Sequence, residues 1–158
     1  MSYQSQKNAK SSDFFRTANS KASGIELTAP EALMAISILA VSADGKMAQE
    51  EKQTLGANHV RLFSAYSREE FQELFKKVLG LVNKYRPSDV FIAAKNGLTP
   101  KLRQTAFAIA ADLVLADGVF TQEEQDLLVE LWEALELKDE IGQKIMEVMI
   151  IKNCTDNS

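Results

Sequence analysis

The sequence predicts an all-α protein: a single compact bundle of about seven helices, built from two helix–turn–helix repeats related by pseudo-two-fold symmetry. Three observations carry that expectation. The acidic stretch VSADGKMAQEE at 41–51 returns as VLADGVFTQEE at 114–124, identical at seven of eleven positions. Three Ser/Thr-x-x-Glu capping boxes, at Thr28–Glu31, Ser67–Glu70 and Thr121–Glu124, stand directly before runs with helical apolar spacing. No alternating apolar–polar run marks a strand, and the chain has only three prolines.

The elements follow in order. Residues 1–26 are rich in Ser, Gln, Asn, Lys and Ala and read as a polar tail, with Phe14 and Phe15 as its two candidate anchors. Residues 27–153 form the helical domain. Thr28 caps an apolar run that ends at Asp44-Gly45, and a second helix is expected from about Ala48 to Asn58. Ser67 opens a helix whose Phe71, Leu74, Phe75, Val78 and Leu79 make one stripe. Pro87 and Ser88 start a short connecting helix, and Gly97 is a plausible stop. Thr99-Pro100 opens a second apolar helix, expected to run to Asp117-Gly118. Thr121 caps the helix containing LLVELWEAL, where Leu131 and Trp132 read as core, and a last helix spans about Lys138 to Lys152. Beyond the turns, Ala35, Ile36 and Leu55 match Ala108, Ile109 and Leu128. Two copies are too few for a solenoid. Packed about a pseudo-two-fold axis, they would put both apolar helices at the centre of the globule.

Composition bounds the function. With 158 residues, 46% hydrophobic and 25% charged, the chain has the make-up of one soluble domain with a sizeable core. A net charge of −4 and the lack of a Lys/Arg cluster argue against a nucleic-acid partner. The longest apolar runs fall short of the roughly 20 residues that span a bilayer, so no direct membrane insertion is expected. Residues 1–15 lack the apolar stretch of a secretory signal. Cys154 is the only cysteine and His59 the only histidine, which leaves no ligand set for a zinc site. No nucleophile motif or phosphate-binding glycine loop is present either, so the chain reads as non-enzymatic.

The acidic turns are the candidate site. Asp44-Gly45 and Asp117-Gly118 are each followed, after five residues, by a glutamate, which matches the second half of a calcium-binding loop. The first half fails, because Ala40 and Ser42, or Leu113 and Leu115, stand where oxygen ligands belong. Helix-start chemistry explains part of the pattern: glutamates in a first turn complement the helix dipole. It explains the first copy less well, since Ala48 there accepts no capping bond. Asp112 adds a further charge inside an apolar run, where Ala108, Ile109, Leu115 and Ala116 offer it no partner. A basic side chain, a helix N-terminus or a cation would have to meet it. The candidate metal ligands are therefore Asp44, Glu50, Glu51, Asp112, Asp117, Glu123 and Glu124. Their hard oxygens favour calcium, magnesium or manganese over zinc. The alternative is a structural protein-interaction module whose acidic turns only cap helices; an apolar patch beside the turns would favour it.

An apolar helix, ADG, a few residues, EE and an amphipathic helix, occurring twice in one all-α chain, resembles the TerB-like tellurite-resistance family over roughly residues 28–152. The resemblance implies a compact bacterial helical protein associated with resistance to tellurite and other stresses. It implies divalent-cation binding near the turns, at positions matching Asp44, Gly45, Glu50, Glu51, Asp117, Gly118, Glu123 and Glu124. It also implies work in the cytoplasm, at the inner face of the membrane, with integral-membrane protein partners. Leu39 stands where Asp112 does in the second copy, so the two copies differ in chemistry.

Overall fold

The structure, a computed structural model, describes residues 24–45 and 61–156. Among these residues there are six α-helices, one short 3-10 turn and no strand. The helices are α1 (Ala29–Asp44), α2 (Arg68–Lys84), α3 (Pro87–Asn96), α4 (Pro100–Val114), α5 (Gln122–Ala134) and α6 (Asp139–Lys152), with the 3-10 turn at Arg61–Phe63. The helix expected at 48–58, with Met47, Glu50, Glu51, Leu55 and His59, lies outside the described residues, as do Phe14 and Phe15.

All three capping boxes form. Thr28 Oγ1 accepts from the Glu31 amide at 3.3 Å while the Glu31 carboxylate accepts from the Thr28 amide at 2.9 Å. Ser67 with Glu70 and Thr121 with Glu124 repeat the exchange. Each box satisfies N–H groups that the first turn of a helix leaves without partners.

Helix α1 is the axis of the core. Every residue from Glu31 to Val41 is buried, and α2, α3, α4 and α5 all pack against it. Ile25, just before it, is already in the core. Helix α4 is not its equal. Only Ala106, Phe107, Ala110, Ala111 and Val114 are buried there. The expectation that both apolar helices are enclosed on nearly all sides holds for α1 and fails for α4. The reason is the connecting helix: α3 lays Val90, Phe91, Ala93 and Ala94 against α1, and α4 receives no such cover. Helix α6 packs outside, on α4 and α5, much as α2 packs on α1.

Helix α4 also stops earlier than expected, at Val114 rather than at Asp117-Gly118. Its end tightens into three-residue steps: the Ala116 amide donates to Leu113 O and the Gly118 amide to Leu115 O. In α1 the helix runs to Asp44 and Gly45 caps it directly, with φ 77°. Gly118 has φ 82°, so both turns use the left-handed conformation that glycine adopts without strain.

Candidate functional site at the acidic turns

The second turn is described in full. Asp117 follows the tightened end of α4, and its Oδ1 accepts from the Val119 amide at 3.0 Å, a short loop closed by the side chain on its own backbone. Glu124 is buried and bonded to the Thr121 amide through the capping box. Glu123, beside it in the first turn of α5, is exposed, makes no hydrogen bond or ion pair among the described residues, and favours the positive helix end.

Asp112 meets two groups from the end of α6. Lys152 Nζ donates to its Oδ1 at 3.1 Å and Asn153 Nδ2 at 2.9 Å. The apolar neighbours of Asp112 in the sequence predict a buried carboxylate. Instead the side chain keeps 35% of its exposure, because the outer face of α4 is open. A basic side chain, one of the expected partners, meets it among the described residues. Asn153 Nδ2 also donates to Met149 O, so one residue ends α6 and ties it to α4.

These contacts use oxygens of Asp112, Asp117 and Glu124 for protein donors. Among the described residues no three of the groups His, Cys, Asp and Glu converge as a metal-binding set. Asp44, at the last position of α1, belongs to the first turn, whose Glu50 and Glu51 lie outside the described residues.

Residues 30–146, more than half of the chain, match the model of the family described as tellurite resistance protein TerB. The chain belongs to the TerB family. No curated protein and no solved structure matches it. The TerB match takes in both Asp–Gly turns and four of the six described helices whole; it begins at the second residue of α1 and ends within α6.

Around these turns the TerB chain carries features that patterning did not reveal. Four large apolar side chains are exposed among the described residues: Val119 at 53%, Phe120 at 39%, Val148 at 55% and Ile151 at 73%. The first two sit between Asp117-Gly118 and the Thr121 cap. With Leu115, Ile150 and Asn153 they line a shallow notch. The sequence signal was the adjacency of two bulky apolar residues in a turn that polar residues would ordinarily fill. A second missed feature lies away from the turns. Glu136, with φ 65°, bridges Lys95 Nζ at 3.0 Å and Arg103 Nη1 at 3.2 Å, joining α3, α4 and the α5–α6 connection. The Lys95 hydrogen bond and charge, with Arg103 behind them, hold the Glu136 carboxyl below its ordinary range. Its partners are 41 and 33 residues away, beyond local pattern. No helix among the described residues is long and apolar enough to cross a membrane.

Proposed function

We propose that this TerB-family chain is a non-enzymatic protein of a tellurite or related stress response that works by binding, and that the turn at 117–124 with the end of α6 is its binding surface. One observation carries the reading: among the described residues, all four exposed large apolar side chains belong to that turn and to the second half of α6. Apolar side chains exposed together mark contact surfaces more often than chance, since water disfavours them there. The partners in this reading are proteins, membrane-associated ones included, met on the cytoplasmic side. The working unit is residues 27–153, with the tail at 1–26 outside it except for Ile25, which packs into the core. Completed by a helix in the first repeat, it becomes a seven-helix bundle about a pseudo-two-fold axis; the similar seating of α2 on α1 and of α6 on α4 supports that arrangement.

The test is survival under tellurite of a host lacking this protein and complemented with the full chain. Val119→Ser with Phe120→Ser should fail to protect while melting like wild type. Undiminished protection by that variant would remove the surface from the function.

A divalent cation is the second reading, favoured by the shared left-handed Asp–Gly geometry of the two turns. Asp44 with Glu50 and Glu51 are its proposed ligands in the first turn, and Asp117, Glu123, Glu124 and Asp112 in the second. In the second turn an ion would have to draw Asp112 away from Lys152. A bound ion at a hundredfold excess over Kd stabilises by about 2.7 kcal/mol, or several degrees of melting temperature. Calcium, magnesium or manganese should therefore raise the melting point of wild type, less so in Asp44→Ala, and the rise should shrink as protons compete at low pH. No rise with any of the three at millimolar concentration would end this reading.

A further inference from the structure

The notch at the second turn is continuous with the end of α6. Ile150 lines it beside Val119 and Phe120, Ile151 follows Ile150 in the chain, and Val148 lies one helical turn before Ile151. The two segments are fitted to each other: a Cβ added at Gly118 would stand 3.0 Å from Asn153 O and 3.5 Å from the Thr155 methyl. Acidic residues flank these segments in the chain. Asp117 and Glu123 bracket Val119-Phe120 in the chain, and Asp156 follows Thr155; all three are exposed. The exposed cations of α6 are Lys144 and Lys152, and the ammonium of Lys152 is neutralised by Asp112 at 3.1 Å.

We propose that this patch docks a basic amphipathic helix of another protein, its apolar stripe laid on Val119, Phe120 and Ile151 and its Lys or Arg side chains set against Asp117, Glu123 and Asp156. The proposal rests on the reading of this end as the binding surface and adds the chemistry of the partner. Apolar anchors surrounded by charge give affinity at the centre and selection at the rim. The same charges disfavour other occupants. A second copy of the chain, packed face to face, would set Asp117 and Glu123 near their own counterparts. An anionic bilayer would be repelled by them.

The probe is a short fluorescent helical peptide of Leu and Lys in amphipathic spacing, titrated against the full chain, beside its Leu and Glu counterpart. The basic peptide should bind and the acidic one should not. Val119→Ser with Phe120→Ser should weaken binding by about tenfold or more, as loss of a central anchor does. Glu123→Lys, which changes an exposed side chain that makes no hydrogen bond or ion pair among the described residues, should weaken it too, and added salt should do the same to wild type. Equal binding of both peptides would overturn the proposal, and so would basic-peptide binding that neither variant weakens. A wild-type dimer, or adhesion to anionic vesicles, that the double Ser variant abolishes would assign the patch to one of those occupants instead. If the double Ser variant loses tellurite protection while the basic peptide never binds, the surface stands and the partner's chemistry falls. If protection persists, the surface itself falls.

Discussion

Glu31 is the residue at which local and tertiary roles meet. It closes the capping box of α1 and also accepts from Lys77 Nζ of α2 at 2.6 Å. Burial raises its carboxyl, but the Lys77 hydrogen bond, the Thr28 amide and the Lys77 charge outweigh that, so it sits below its ordinary 4.5. Lys77 is correspondingly raised above 10.5 by the same pair. The signs follow. The lowered Glu31 contributes stability above pH 4.5 that is lost as pH falls through its folded value; the raised Lys77 contributes stability below pH 10.5 that is lost as pH rises through its folded value. Glu31→Gln keeps an acceptor for the cap and removes the charge. It should melt lower than wild type at neutral pH and show a flatter decline in acid, measured by circular dichroism. An acid profile identical to wild type would show that the pair contributes nothing. Asp112→Asn is expected to do less. Lys152 and Asp112 are both well exposed, an Asn can still accept from Asn153, and such a pair is worth under about 1 kcal/mol.

At the scale of elements, the joints between helices are tighter than the helices are distinctive. Helices α5 and α6 meet at Gly142, where an added Cβ would stand 2.2 Å from the Trp132 ring. Trp132 is fixed on its other sides by Phe107, edge-on at 5.7 Å between ring centres, and by a hydrogen bond from its Nε1 to Asp139 Oδ1 at 3.0 Å. The ring cannot yield without breaking one of these contacts. Gly142→Ala should therefore destabilise the chain by about 1–3 kcal/mol, the usual cost of overpacking. It should also change the near-ultraviolet dichroism of the only tryptophan. A variant with unchanged melting would mean that α6 shifts freely on α5. The cap of α5 is the cleaner local case: Thr121→Ala removes one half of the exchange with Glu124 and should cost about 1 kcal/mol, read from chemical denaturation.

For the whole molecule, the decisive fact is that α1 belongs to both halves. It is packed by α2 and α3 on one side of the sequence and by α4 and α5 on the other. Neither half can bury its own apolar surface without it, so the repeats are not separate folding units. Urea unfolding should be a single transition, with Trp132 fluorescence and far-ultraviolet dichroism coincident. Two separated transitions would show that the halves are independent.

The sequence alone determined the helical class, the three caps, the two Asp–Gly turns and the burial of α1, because each depends on residues within one helical turn of each other or on an apolar run with no polar face. The kinship with TerB was legible for the same reason, carried by a repeated local motif. What only the tertiary structure decided concerns residues far apart in the chain. Whether α4 is enclosed depends on where α3 lies, and α3 lies on α1. Whether Asp112 is buried depends on that open face, and its partners Lys152 and Asn153 come from 40 and 41 residues away. The exposure of Val119 and Phe120 is likewise a property of the surface that α6 leaves beside the turn. Hydrophobic spacing says which side chains water disfavours; it cannot say which of them the rest of the chain reaches to cover.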